Sequence, residues 1–342
     1  MKIFFLFILI SFVSANLRAQ NQLPVIDNVK FFTNDTVFDA VLSADMGKLL
    51  NGKMKPEYIP ATFSCKLSDS SITGQIRVIA RGNMRRQICY MPPLKLDFHT
   101  DTLSKLYTLN SLKLVCGCKP NANYEQLLLK EYLVYKIYNL LTEKSYRVRL
   151  LNLDYEDSRG KKKTISQHAF FIEDAKDMAK RNDCKEWKKV KLNGLNTDRN
   201  QMTVFAIFEY MIGNTDWGIS ANHNSTLILS KKDSAARPFA VPYDFDYSGL
   251  VDADYAVPNE GLDIEKVTQR LYRGYPRTMQ ELDDALKIFR ERKEQIYSLI
   301  SNFELLTPNN RQTMKDYLDD FYKTINDPRE VKYVFIDNAR KQ

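Results

Sequence analysis

Residues 202–212 constrain the fold most: the stretch is apolar almost all round a helical turn, interrupted only by Thr203 and Glu209. A helix without a polar face has to be enclosed on every side, so the pattern predicts a central helix with a large core around it. Gly213 follows at once and stops it. A chain of 342 residues is long enough to supply that core and to form two domains or two lobes around a cleft. With 44% hydrophobic and 27% charged residues, usage is that of an ordinary globular protein, which argues against disorder, collagen-like repeats and coiled coil.

Upstream of this helix the pattern is mostly that of strands. The runs 29–32, 37–42, 61–67, 75–80, 93–98 and 112–116 are short, β-branched or aromatic, and bounded by turn residues, which predicts an antiparallel sheet. A first long helix starts near Asn123 and runs to about 141, with Leu128, Tyr132, Tyr135 and Tyr138 at the three-four spacing of one buried face. Strands return at 147–153 and 164–172 around a polar hairpin. Beyond about 177 the pattern turns helical, with helices expected at 262–273, 278–301 and 310–325 and short strands at 226–229 and 239–241. Strands first and helices later predict an α+β protein of two lobes, a β-rich one over 20–172 and a helical one over 173–342, with a ligand site at their joint.

The first residues read as an export signal. Lys2 opens the chain, an apolar run follows to Val13, and the small residues Ser14, Ala15 and Ala19 come next, so 1–19 is expected to be removed. No later stretch is long and apolar enough to span a bilayer, and the mature chain is expected to be periplasmic or secreted. Export permits disulfides. Of Cys65, Cys89, Cys116, Cys118 and Cys184, Cys89 is expected to bridge to Cys116 or Cys118, and the odd count leaves a free thiol. Removing the signal lowers the formal charge of +8 by two, and the remaining cations interleave with acids, so nucleic acid is not an expected partner. Three scattered histidines without a His-x-x-x-His spacing disfavour zinc hydrolases.

Candidate chemistry concentrates in 213–251. Gly213-Asn214-Thr215-Asp216-Trp217 follows the central helix; Asn222-His223-Asn224, a short strand and Pro242-Tyr243-Asp244-Phe245-Asp246 come after it. Phosphoryl transfer needs one carboxylate to orient or deprotonate the attacking hydroxyl. It also needs a carboxylate and an amide oxygen to hold a hard cation against phosphates. Asp216, Asn224, Asp244 and Asp246 supply that set. A calcium loop beginning at Asp244 is disfavoured, because Tyr255 stands where a bidentate Glu is required.

With these residues the chain resembles the CotH-like atypical kinases and, more distantly, HipA-like kinases. Arg81-Gly82-Asn83 looks like the family's Arg-Gly-Asn signature, Pro92-Pro93-Leu94-Lys95-Leu96 like its Lys-bearing strand, and Phe170-Phe171-Ile172-Glu173-Asp174 like the strand entering the hinge. The segment 213–216 with Asn224 is similar to the catalytic loop, and 242–246 to the metal-binding strand end. The resemblance implies a bilobal protein-kinase-like fold and metal-dependent transfer of the ATP γ-phosphoryl group to a hydroxyl of an exported protein. It implies Asp216 and Lys95 as catalytic residues, and Asn224, Asp244 and Asp246 as ligands of Mg²⁺ or Mn²⁺. Nucleotide contacts would come from Arg81, Lys95, Glu173 and the Lys95 partner, Glu131 or Glu125. The rival expectation is an inactive kinase-like scaffold that binds an envelope or extracellular partner, and a third is an envelope-polysaccharide binder.

Overall fold

The computed structural model describes residues 28–67, 70–188, 192–233 and 235–340; the expected signal over 1–19 lies outside them. The first half holds α1 (Asn28–Thr33), β1 (Phe38–Ala44), α2 (Met46–Asn51), β2 (Ile59–Leu67), β3 (Ser70–Ala80), α3 (Met84–Ile88), β4 (Leu94–Asp97), β5 (Ser111–Cys116), α4 (Ala122–Leu141), β6 (Val148–Asp157) and β7 (Ile165–Ile172). The second holds α5 (Ala175–Arg181), β8 (Cys184–Glu186), α6 (Arg199–Ile212), β9 (Ser225–Ser230), β10 (Phe239–Pro242), α7 (Met279–Ser301), α8 (Pro308–Asn326) and α9 (Pro328–Lys332). The α+β order of strands before helices holds.

The β-rich part is a closed barrel in the order β1-β2-β3-β4-β5-β7-β6, where an antiparallel sheet was expected. Neighbours are antiparallel except β1 and β6, which seal the ring in parallel, Phe38 opposite Leu151 and Ala44 opposite Asp157. Closure leaves no free edge, which an open sheet would have to protect. Alternate residues point inward, Phe38, Ala40, Leu42 and Ala44 from β1 and Ile59, Ala61, Phe63 and Cys65 from β2. Phe63, Phe98 and Phe171 meet edge to face at the centre, 5.6–6.4 Å apart. On the outer face Val115, Val148, Phe170 and Ile172 join a second cluster built on α4 and α6. The stretch 29–32, read as a strand, falls in α1. Phe31 and Phe32 are consecutive and both buried against the barrel core, which the one-in, one-out geometry of a strand does not allow.

The expected central helix is α6, buried without interruption from Gln201 to Ile212 and packed among β10, α7 and α8. Asp198 caps its start by accepting from the Gln201 N–H, and Gly213 ends it in the left-handed region. Residues 262–273 form turns and irregular chain instead of the expected helix. Their fully buried side chains, Val267 and Tyr272, stand five apart, which does not make a helical stripe. Arg270 and Arg273 reach sideways from this segment to the carbonyls of Met211, Tyr317 and Trp217. The helices expected at 278–301 and 310–325 are α7 and α8, the first opened by a Thr278–Glu281 capping box. Cys89 pairs with Cys118, while Cys65, Cys116 and Cys184 are buried free thiols.

Gly213 has φ +68°, and a Cβ there would collide with the Tyr317 hydroxyl. Gly213→Ala is therefore expected to cost about 2 kcal/mol or more from backbone strain and crowding, read as a lower urea midpoint with an unchanged slope.

Candidate active site

The loop after α6 is wound tightly by its own side chains. The Asn214 N–H donates to the Glu209 carbonyl at 2.8 Å, and the Asn214 side-chain oxygen accepts from the Asp216 N–H at 3.0 Å. A short bridge between Gly218 and His223 closes the loop. Asn222 and Asn224 take left-handed backbone angles, φ +50° and +49°, which Asn tolerates better than most residues. The result is a held carboxylate. Asp216 Oδ1 meets His223 Nε2 at 2.8 Å and Asn259 Nδ2 at 3.2 Å, and Asp216 Oδ2 accepts from Asn224 Nδ2 at 3.0 Å. Because Asn224 donates through its nitrogen, its side-chain oxygen keeps its lone pairs free of Asp216.

β10 ends at Pro242 and hands the chain to Asp244, also left-handed at φ +69°, whose N–H donates to the Tyr135 hydroxyl at 2.8 Å. No hydrogen bond or ion pair with a described residue engages the Asp244 carboxylate. Asp246, two residues on, is buried; the Tyr255 hydroxyl donates to its Oδ2 at 3.2 Å. Arg85 of α3 lies 3.8 Å from Asp246 and 3.7 Å from Glu131 of α4, and donates to the Cys116 carbonyl. One guanidinium thus serves two buried carboxylates. Burial pushes both carboxyls above their ordinary range; Asp246 repels Glu131 and Asp244 repels Asp246, while Arg85 pulls both down. Such displaced carboxyls in a cleft are typical of functional sites.

Asp216, Asn224, Asp244 and Asp246 line one cleft of about 800 Å³, with Arg81, Arg85 and Arg86 on its barrel side. Five residues expected from the sequence, Arg81, Asp216, Asn224, Asp244 and Asp246, therefore line the same space.

Three expectations need correction. Glu131 is 2% exposed and its cation is Arg85, not Lys95. Glu125 is engaged elsewhere, accepting from the His168 backbone N–H at 3.1 Å and meeting its ring at 2.6 Å. The Glu173 carboxylate is turned away from the cleft, held by two 2.9 Å bonds from Arg181 and one of 3.0 Å from the Arg147 N–H. Lys95 does not line this cleft; across the β4–β5 pair it stands opposite Lys113.

Lys113, a cation that the sequence did not single out, lies next to the site, although it does not line the cleft either. Its Nζ lies 4.6 Å from the centre of the Tyr243 ring, and its pKa is lowered to about 8 by burial first and then by Arg81, with Asp244 and Asp174 pulling it back up. The alternation in 111–116 carried a signal, because Leu112 and Leu114 point into the barrel and send Lys113 outward. Asn259 and Tyr255 were not legible, since both sit in irregular chain and reach the site only through the tertiary fold.

The donors suit a hard divalent cation. Among the described residues no three His, Cys, Asp or Glu side chains converge on one point. The cleft offers instead the unengaged Asp244 carboxylate, the Asn224 side-chain oxygen and Asp246, an all-oxygen set of the few-ligand kind that Mg²⁺ uses when phosphates complete its shell.

No protein-family model matches the sequence, and no curated protein does. Among solved structures the chain is similar to the crystal structure of a Helicobacter pylori proinflammatory kinase, CtkA, with a TM-score of 0.39 and 12% identity over 80% of this chain and 91% of that one. So loose a likeness assigns neither a residue nor an activity to this chain.

Lys113 sets a stability–pH relation. Its folded pKa of about 8 lies below the unfolded value of 10.5, so the unfolded chain binds more protons between them and stability rises with pH across that window. Lys113→Met is expected to stabilise the protein at pH 7 by roughly 2 kcal/mol and to flatten the rise from pH 8 to 10.5. Urea titrations at several pH values check both.

Proposed function

We propose that the chain is an exported CotH-like atypical kinase that transfers the γ-phosphoryl group of ATP to a hydroxyl of an exported protein. The observation that carries this reading is the gathering of Asp216, Asn224, Asp244 and Asp246, from two separate loops, along one cleft opposite Arg81. Carboxylates pointing to separate surfaces would have left it without support.

Asp216 faces the cleft as an acceptor already fixed by His223, Asn224 and Asn259, so it orients the attacking hydroxyl and takes its proton as the oxygen–phosphorus bond forms. Asn224, Asp244 and Asp246 would hold Mg²⁺ or Mn²⁺. Bound there, the cation would neutralise phosphate charge and favour departure of the diphosphate. Arg81 lines the cleft from the barrel side and Lys113, close enough to Asp244 for their charges to interact, adds positive charge beside it. Arg85 is committed to Glu131 and Asp246 and holds the site together from beneath. The Cys89–Cys118 bridge supports export to an oxidising compartment, periplasmic or extracellular. Among the described residues no helix is long and apolar enough to cross a membrane. An exported kinase needs a nucleotide source outside the cytoplasm, another donor, or action before export completes.

Purified mature protein is expected to bind ATP only with Mg²⁺ or Mn²⁺, and Asp244→Ala to abolish that binding. Asp216→Asn is expected to keep nucleotide affinity within a factor of about three while lowering phosphoryl transfer by about a hundredfold or more. Titration calorimetry and a radiolabelled transfer assay separate the two. Absence of binding with either metal would sink the kinase reading and favour a scaffold that binds an envelope partner.

A further inference from the structure

α3 is a single turn, Met84–Ile88, too short to hold its shape alone. Its outward side chains are only partly buried: Met84 is 50% and Ile88 40% exposed. Two features on its other side tie it down. Arg85 runs inward to Glu131, Asp246 and the Cys116 carbonyl. One turn further on, Cys89 donates its N–H to the Arg85 carbonyl at 3.0 Å and is bonded through sulfur to Cys118, two residues past Cys116. The Met91 N–H to Cys118 carbonyl bond, 3.2 Å, closes the same corner. The bridge and the guanidinium therefore join the same two chain segments at successive turns. A buried guanidinium is held only where its partners are held with it, because leaving two carboxylates without their cation is costly. The carboxylate at the far end of this chain of contacts is Asp246, in the cleft.

We infer that the Cys89–Cys118 bridge and Arg85 form one positioning device for Asp246, so that the acidic end of the cleft is complete only in the oxidised chain. The part of this inference that concerns cation binding rests on the kinase reading above; the part that concerns the order of the cleft does not. Opening the bridge with a dithiol moves two electrons and two protons: the sulfur–sulfur bond breaks, Cys89 and Cys118 become thiols, and the dithiol becomes its own cyclic disulfide. α3 then loses its covalent anchor, Arg85 leaves the two carboxylates, and the segment carrying Asp246 loosens.

The test is hydrogen–deuterium exchange of the full mature chain, oxidised and after dithiothreitol, beside a Cys89→Ser, Cys118→Ser double variant. Arg85→Gln, Arg85→Lys and a Cys184→Ala control keep the bridge. Exchange in 84–88 and 245–250 is expected to rise at least tenfold when the bridge or the guanidinium is lost, with α6 and α7 unchanged. Arg85→Lys is expected to recover part of the protection, and Cys184→Ala to match the parent. Manganese–nucleotide affinity is expected to fall about tenfold or more in the reduced chain, the double variant and Arg85→Gln, and to stay at the parent's value in Cys184→Ala. Unchanged exchange at 245–250 in the reduced chain or in Arg85→Gln overturns the inference. If the double variant does not fold, Arg85→Gln decides by the same readouts. An oxidised parent that binds no nucleotide removes the kinase reading and leaves the exchange result to decide this one.

Discussion

One buried cation organises the functional end of this molecule. Arg85 comes from the barrel side, Glu131 from α4 and Asp246 from the chain after β10, so its two ion pairs join three elements, which the Cys89–Cys118 bridge and the bond from the Asp244 N–H to the Tyr135 hydroxyl also help to hold. Two buried carboxylates and one guanidinium do not balance: burial first, and then the repulsion of neighbouring carboxylates, raise both carboxyls above their usual range. Substituting apolar side chains for all three would relieve the desolvation cost, as it does for many buried ion pairs. It would also erase the charge that faces the cleft. The arrangement makes better sense as the support of a site than as a source of stability.

The same trade recurs nearby. Asn222, Asn224 and Asp244 all take left-handed backbone angles within two short loops, and Lys113 keeps its ammonium where burial opposes it. Strain of this kind persists only where the surroundings over-determine it. Those surroundings are rigid: α6 is buried on all sides, and Gly213 can turn the chain because the glycine leaves room for Tyr317.

What the sequence made legible followed from periodicity and from local chemistry. An all-round apolar helix ending in glycine identified α6, and the carboxylates and amides just beyond α6 and β10 pointed to Asp216, Asn224, Asp244 and Asp246, four of the residues that line the cleft. Three things lay outside that reach. Barrel closure depends on a parallel pairing between β1 and β6, which alternation in either strand cannot announce. The partner of Glu131 was misread because Lys95 and Arg85 carry the same charge, and only the tertiary fold decides which one is buried. Residues 262–273 read as helix from composition, yet their arginines are spent on carbonyls of neighbouring segments.

The parallel seam of the barrel also governs the order in which the chain can acquire its structure. β1 pairs with its antiparallel neighbour β2 across the short α2 connection, but its other edge waits for β6, and the Met46 N–H reaches Asp157 Oδ1 across 111 positions. Until then the nascent chain carries an open β edge, and the loop-closure entropy of that long connection has yet to be met by contacts. The outer faces of β5, β6 and β7, against which α4 packs, are finished only when the ring is. The ring can therefore close only once β6 and β7 exist, and the cleft, lined from the barrel side and from 216–260, cannot be complete before then.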